Sequence, residues 1–339
     1  MRRLASIAAV QLVGCARAAE PSPPPTTLKI ATWNLEWLMT PATFNALKGA
    51  CTRAPADDSA PHAARPLRSI PCDVVAQLER GRADFAGLAR YARMLDADVV
   101  ALQEVDGEAA AALVFAPGDY VFCFTGARAL QNTGFAIRRG IAHRCGADVE
   151  GLALGNRVRR GATLVLYPGT PAELHLLAVH LKSGCARGPM NARPQPEACA
   201  LLARQLPALE AWIDNEARSS TRFAVLGDFN RDLLAERGPA RAPDGAQLNF
   251  WAEIDDGEPE GARLTNSAAG ERFSNCARGR MHTGYIDYIV LGPALAAARV
   301  PGSFQRLTYA PRDAWRLKLS DHCPVAIRLT IKLSRGWHL

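Results

Sequence analysis

Several short segments of the chain place residues able to hold a cation, or to donate hydrogen bonds to an anion, at the ends of apolar runs. Leu28-Lys-Ile-Ala-Thr-Trp is followed by Asn34 and Glu36, Asp98-Val-Val-Ala-Leu-Gln by Glu104, Leu174-His-Leu-Leu-Ala-Val by His180, and Phe223-Ala-Val-Leu-Gly by Asp228 and Asn230. Asp287 opens the run at Tyr288, and Asp321-His322 precedes the run at Val325. Carboxylate oxygens are hard ligands suited to Mg²⁺, which keeps waters and bridges to phosphate oxygens, and amides and imidazoles donate to those oxygens. Hydrolysis of a phosphoester needs both kinds of group. Taken singly, each residue has a plainer reading: Glu104 as a helix cap, Asp228 as a turn former before Asn230, Asp321 as a partner of its own backbone. The chemistry follows only if they converge.

Convergence requires the apolar runs to be strands that end at one edge. Strands are expected at Leu28–Thr32, Asp98–Leu102, Tyr120–Phe124, Gly134–Ile137, Ala162–Tyr167, Leu174–Val179, Arg222–Leu226, Tyr288–Leu291 and Val325–Ile331. Asp287 and Asp321-His322 come before their strands, so those two strands would run the opposite way. Phe85, Leu88, Ala89, Ala92 and Leu95 recur at helical spacing, and Ala198 to Ala217 forms a second amphipathic stretch that Pro207 is expected to kink. No internal repeat is visible. The loops Thr40–Asp73 and Gly238–Asn275 are Pro/Gly-marked and read as decorations of one domain.

The 339 residues, 48% hydrophobic and 22% charged, suit a globular chain with a large core. The longest apolar run, Leu4 to Gly14, is interrupted by Gln11 and falls short of the roughly 18 residues of a membrane span, which excludes a multi-pass membrane protein. Arg2 and Arg3 ahead of that run make residues 1–14 an expected export signal peptide. Leu12-Val-Gly-Cys15 resembles the bacterial lipobox, in which the cysteine is acylated, giving a lipid anchor to a membrane; cleavage after Ala18 is the alternative. A Pro-rich spacer at 15–27, a domain at 28–332 and a tail at 333–339 complete the expected organisation. The protein is then periplasmic or an outer-membrane-anchored lipoprotein, or otherwise secreted. Setting Cys15 aside leaves an even set of cysteines whose connectivity the sequence does not choose; pairing of neighbours along the chain, the expectation adopted, gives Cys51–Cys72, Cys123–Cys145, Cys185–Cys199 and Cys276–Cys323. Zinc is the weaker reading, because no finger-type Cys/His spacing occurs. The formal charge of +7 falls by two with the signal, a mildly basic balance that permits nucleic acid or anionic lipid without demanding either. Lysine occurs only at positions 29, 48, 182, 318 and 332, so arginine supplies most of the positive charge. Arg138, Arg139, Arg144, Arg157, Arg159 and Arg160 surround two middle strands, but general arginine enrichment makes a solvated face an equal reading, and they stay outside the expected site.

Six stations along the chain, Thr32-Trp-Asn-Leu-Glu36, Leu102-Gln-Glu-Val105, His180-Leu-Lys-Ser-Gly184, Gly227-Asp-Phe-Asn230, Ile286-Asp-Tyr-Ile-Val290 and Ser320-Asp-His-Cys-Pro-Val325, resemble in kind and order those of the endonuclease/exonuclease/phosphatase superfamily, with its pancreatic deoxyribonuclease-like and apurinic endonuclease-like members. The resemblance covers Leu28 to about Ile331 and would make the chain an exported bacterial lipoprotein member. It implies a four-layer α/β sandwich: two mostly antiparallel β-sheets packed face to face and flanked by helices, with the site at one edge. It also implies roles. Glu104 would be the principal Mg²⁺ ligand, with Mn²⁺ as a substitute, and Glu36 and Asp321 would lie on the metal side. Asn34 and Asn230 would orient phosphate, and Asp228 would align or deprotonate the attacking water. Asp287 would fix the His322 tautomer, and His322 and His180 would face phosphate oxygens. Glu36 stands where apurinic endonucleases usually place Asp, and no motif identifies a carboxylate partner for His180 of the deoxyribonuclease type. The expected activity is a Mg²⁺-dependent phosphodiester hydrolase, a nuclease acting on DNA or RNA by in-line attack of an activated water, with nucleic acid as its partner. A phosphatase or a sphingomyelinase-like phospholipid phosphodiesterase is the alternative. A non-catalytic surface binding protein would require a lost site residue, and Glu104, Asp228, Asn230, Asp287 and His322 are all present.

Overall fold

The computed structural model describes residues 26–53, 72–127, 129–190, 196–219, 221–276 and 284–332. The expected export signal, the Cys15 lipid acceptor, most of the spacer and the C-terminal tail lie outside the described residues. Among the described residues no helix is long and apolar enough to cross a membrane.

In chain order the strands are β1 (Thr26–Leu38), β2 (Val99–Val105), β3 (Tyr120–Phe124), β4 (Asn132–Arg138), β5 (His143–Cys145), β6 (Ala162–Leu166), β7 (Leu174–His180), β8 (Arg222–Asp228), β9 (Thr265–Asn266), β10 (Asp287–Leu291), β11 (Gln305–Arg306) and β12 (Val325–Ile331). They form two six-stranded sheets, ordered β11-β12-β1-β2-β4-β3 and β5-β6-β7-β8-β10-β9. The helices that matter most to the site are α1 (Pro41–Arg53), α2 (Cys72–Gln77) and α3 (Arg82–Leu95), ahead of β2, the short α4 (Glu108–Ala111) that follows it, and α5 (Glu197–Arg218).

Side-chain alternation builds the layers. Leu28 and Ile30 of β1 join Leu174, Leu176 and Ala178 of β7 in a core between the sheets. The intervening Ala31, Trp33 and Leu35 pack instead with Leu88, Tyr91, Ala92 and Leu95, the apolar stripe of α3. On the other side Leu177 and Val179 meet Leu202, Leu206, Leu209 and Ile213 of α5. Central strands covered on both faces read as nearly unbroken apolar runs, which is why the β2, β7 and β8 segments carry so little polar alternation. The expected four-layer sandwich is the observed one.

In each sheet one neighbouring pair is parallel, β1 with β2 and β7 with β8, and the other pairs are antiparallel. A parallel pair needs a crossover, supplied by α3 in one sheet and α5 in the other, and a crossover makes both strands end at the same edge. β10 and β12 run antiparallel to β8 and β1 and therefore begin at that edge.

All nine expected strands are present, most of them longer than expected. β5, β9 and β11 were not foreseen, since two or three residues carry no alternation to read. Two expectations about loops are corrected. Residues 40–73 open with α1, whose start has a local cause: Pro41 suits the first turn, and the Thr40 hydroxyl accepts from Thr43 N at 3.0 Å. Residues 238–275 contain a short helix, Phe250–Ile254, capped by the Asn249 side chain, and β9. α5 continues on both sides of Pro207, which sits on its exposed face.

The four disulfides are the neighbour pairs expected. Two of them cross the seam between the sheets. Cys123 on β3 joins Cys145 on β5, and Cys276, ahead of β10, joins Cys323, ahead of β12. Cys276–Cys323 spans 47 residues, and closing a loop of that length lowers unfolded-chain entropy substantially. Replacing both cysteines by Ala should lower unfolding free energy by about 2–4 kcal/mol in urea titration. An unchanged urea midpoint would show that the bridge contributes nothing to stability.

Candidate active site

The strand ends at the common edge are bent into unusual conformations. The register of β1 with β2 shifts between Asn34 and Leu38, and within that bulge Glu36 and Trp37 have φ of 45° and 51°. Glu104 has φ of 58° where the β2–β4 register shifts. Asn230, two residues past β8, has φ of 52°. Positive φ costs a side-chain-bearing residue free energy and persists only where surrounding contacts over-determine it, and a bulge re-aims side chains. Gly227 answers a different constraint. It lies opposite Val179 in the parallel β7–β8 pair, and a Cβ there would stand 2.0 Å from the Val179 carbonyl oxygen. Only Gly lets the two strands approach closely enough to put His180 beside Asp228.

Asn34 ties the edge together. Its Nδ2 donates to Glu104 Oε1 at 3.1 Å and, across the seam, to Asp228 Oδ2 at 3.0 Å, while its Oδ1 accepts from Glu36 N at 3.0 Å. Glu104 Oε2 accepts from Trp37 N, and Glu36 Oε2 accepts from Asp321 N. Asp228 Oδ1 accepts from Asn230 N at 2.8 Å, so the turn suggested by the plainer reading of Asp228 exists alongside its place in the cluster. Asn230 Nδ2 also donates to Asp228 Oδ2. His322 Nδ1 lies 2.8 Å from Asp287 Oδ2, and its Nε2 points at Asp228 Oδ2 from 3.8 Å. Behind His322, its carbonyl accepts from Tyr309 and Trp33, and its N–H is held by the Ser320 hydroxyl.

Burial sorts the charges. Removal from water pushes the Asp228 carboxyl up to about 7; the nearby His322 charge opposes this, and Asp287 and Glu104 reinforce it. Burial also works against a charged His322, but the Asp287 and Asp228 carboxylates outweigh it and hold the imidazole well above its usual pKa. His180 has burial and the positive charges of Arg159, His322 and Lys182 all acting in one direction, so its pKa lies well below the usual value and the ring is neutral. Its Nε2 stands 3.6 Å from both Glu104 Oε1 and Asp228 Oδ2, and neither contact is an ion pair. Both are residues of the expected site; among the described residues no further carboxylate pairs with His180, whose Nδ1 is buried without a hydrogen-bond partner.

Asn34, Glu36, Glu104, His180, Asp228, Asn230, Asp287, Asp321 and His322 are thus all at the edge the strand directions require. Glu104 caps no helix: it lies in β2 and faces Asn34. One residue was left out that belongs. Of the six arginines around the middle strands, Arg138 pairs with Asp96 and Asp98, Arg139 bonds the Pro117 carbonyl, Arg157 pairs with Glu197, and Arg160 pairs with Asp148 and Glu150. Arg159 alone among these five turns inward. Its Nη2 donates to Gln131, its Nε is buried without a hydrogen-bond partner, and its charge acts on Glu104 and Asp228. It is a fixed positive charge that acts on the two carboxylates at the edge. Nothing in the sequence separates Arg159 from its neighbours.

The donor set suits a hard divalent cation. Glu36, Glu104, Asp228 and Asp321 offer carboxylate oxygens, and burial disfavours the charged form of Asp228 in a way that a bound ion would oppose. Asp228, Asp287 and His322 bring one ligand atom each within 4.8 Å of one another. That triad differs from the expected metal set of Glu104, Glu36 and Asp321. The Asp287–His322 hydrogen bond occupies Nδ1, which favours an acid–base dyad there, and among the described residues Glu104, Glu36 and Asp321 do not bring three ligand atoms within that distance.

A two-sheet sandwich carrying carboxylates, amides and a carboxylate-held imidazole at one edge defines a phosphoric ester hydrolase. The chain belongs to the Endonuclease/Exonuclease/phosphatase family, whose model matches residues 31–322. Its fold is similar to that of an endonuclease/exonuclease/phosphatase family protein from Bacteroides thetaiotaomicron, with TM-score 0.52 and 13% identity over 92% of this chain and 100% of that one. It is also similar to D. rerio TDP2 humanized by 14 mutations, with TM-score 0.50 and 18% identity over 89% of this chain and 98% of that one. At these identities the likeness is one of fold. No curated protein sequence matches the chain.

Arg159→Ala should lower kcat/KM for a small phosphodiester such as bis(p-nitrophenyl) phosphate by about tenfold to a hundredfold, the scale of one hydrogen bond to a charged group. Arg160→Ala, which breaks only outward pairs, should stay within about twofold by the same steady-state assay. Equal effects of the two changes would remove Arg159 from the site.

Proposed function

We propose that the protein is an exported, Mg²⁺-dependent phosphodiesterase, a nuclease that cleaves DNA or RNA by in-line attack of water. The observation that carries this reading is the meeting at one edge of the buried Asp228 carboxyl, held by Asn34 and Asn230, with an imidazole whose Nδ1 lies 2.8 Å from Asp287 and whose Nε2 faces Asp228 from 3.8 Å. Burial holds Asp228 above the usual carboxylate range, which makes it a stronger base than an exposed carboxylate. Asp228 takes a proton from the attacking water as the oxygen–phosphorus bond forms. His322, oriented by Asp287, presents its Nε2 proton to the phosphate or to the departing oxygen as the ester bond breaks. Arg159 supplies fixed positive charge for the phosphate, while Asn34 and Asn230, whose amide hydrogens go to Glu104, Asp228 and the Leu181 carbonyl and not to phosphate as expected, hold the carboxylates in line. Glu104, Glu36 and Asp321 would hold the divalent ion, which when bound supplies Lewis-acid stabilisation of charge on the phosphate oxygens.

Four disulfides favour a non-reducing compartment, where nucleic acid is an abundant diester, and an arginine-rich surface suits its backbone without reading sequence. A lipid anchor at Cys15 would hold the domain at a membrane.

Plasmid DNA and RNA should be cut in the presence of Mg²⁺ or Mn²⁺ and spared in excess chelator, read on gels. Asp228→Ala and His322→Ala should each lower turnover by about a hundredfold or more. Undiminished cutting in chelator contradicts the metal dependence, and hydrolysis of sphingomyelin or a nucleotide monoester in preference to both polymers contradicts the nuclease assignment.

A further inference from the structure

Arg80 lies between α2 and α3 with its side chain 3% exposed. Its guanidinium donates to four main-chain carbonyls: Nε to Lys318 at 2.8 Å, Nη1 to Glu36 at 2.7 Å and to Trp37 at 3.3 Å, and Nη2 to Leu319 at 3.1 Å. These carbonyls come from two segments. One is the β1 bulge, where Glu36 and Trp37 adopt positive φ and the β2 register is broken. The other runs directly into Ser320-Asp321-His322. The segments also meet through side chains: Glu36 Oε2 accepts from Asp321 N at 3.0 Å, and Arg80 Nη2 stands 3.8 Å from that same oxygen.

Buried carbonyls must find donors, and those of Glu36 and Trp37 fall within the broken ladder. Planarity and five N–H groups let one guanidinium serve acceptors in several directions; an ammonium is a point charge on a flexible stem and cannot reproduce the fork. The charge of Arg80 also faces the carboxylate of Glu36 without contact to the cleft where substrate would lie.

We propose that Arg80 is a positioning residue that fixes the spacing between the Glu36 carboxylate and the Asp321–His322 main chain, so that a divalent cation meets a preformed acidic wall. This rests on the reading of Glu36 and Asp321 as metal-side residues. Arg80 touches neither ion nor substrate; it acts through the two segments it joins. A residue that merely held the fold together would lower stability when replaced and leave the cation affinity of the folded protein as it was.

The test uses the full chain with its disulfides intact. Mn²⁺ binding without substrate is followed by the electron paramagnetic resonance of the free ion, melting temperature is recorded alongside, and kcat and KM are measured on bis(p-nitrophenyl) phosphate. Arg80→Lys and Arg80→Ala should each weaken Mn²⁺ binding about tenfold or more, the usual scale for residues that orient metal ligands, and lower kcat more than they alter KM. Arg90→Ala, which breaks an exposed pair with Asp313, should leave both unchanged. If Arg80→Ala does not fold, Arg80→Lys decides, since it keeps the charge and most of the volume. Parent-like Mn²⁺ affinity and kcat in folded Arg80→Lys overturns the proposal. A parent protein that binds no Mn²⁺ overturns the metal reading itself, and the proposal with it.

Discussion

The side-chain amide of Asn34 spans the seam between the two sheets, giving its hydrogens to Glu104 on one side and Asp228 on the other and taking one from Glu36 N. That bridge and the His322–Asp287 bond join half-sites carried by two separate sheets. Two carboxylates drawn to one amide are also two negative charges brought together, and the nearness of Glu104 adds to the upward shift that burial gives Asp228. The arrangement therefore demands positive charge nearby. His322, Arg159 and a bound cation are the answers open to this cleft, and each has a distinct wall: the Asp287 side, the Gln131 side and the Glu36–Glu104 side.

Holding such a cluster requires rigidity, and the chain supplies it at the seam rather than in the strands. The two cross-sheet disulfides lie at different places: Cys123–Cys145 joins outer strands, and Cys276–Cys323 sits one residue from His322. Arg80 clamps the two segments that carry Glu36 and Asp321. The residues at positive φ, Glu36, Trp37, Glu104 and Asn230, lie where these restraints concentrate. Strain of this kind is kept only when neighbouring contacts leave the backbone no cheaper alternative.

Much of this was legible from the chain because strand ends and polar motifs coincide. Gly227-Asp-Phe-Asn230 shows a glycine needed for close strand approach, followed by Asp228 and the turn that presents it. The cysteines pair with sequence neighbours because each joins segments that adjacent elements bring side by side. Arg159 was not legible: in an arginine-rich chain its type carries no signal, and only the carboxylates paired with its neighbours reveal that it alone faces inward. Arg80 was hidden for a different reason. Its partners are main-chain carbonyls, which leave no trace in side-chain patterns, and one pair of them is more than 230 positions away in sequence. The edge strands β9 and β11 are too short for any periodicity.

The two histidines show how one fold assigns different work to the same side chain. Burial disfavours the charged form of both, so desolvation alone would leave two neutral rings. Asp287 changes the outcome for His322 only: a carboxylate 2.8 Å from Nδ1 rewards the imidazolium, while the nearest positive charges act against protonation of His180. Neutral His180 has one ring proton to give, and with Nδ1 buried and unpartnered, Nε2 is the nitrogen that faces Glu104 and Asp228. His322 is thus the proton source of the proposed mechanism, while His180, expected to face phosphate oxygens, turns its Nε2 to the two carboxylates instead. The separation comes from environment, since the distances from the two imidazoles to Asp228 Oδ2, 3.6 Å and 3.8 Å, are nearly the same.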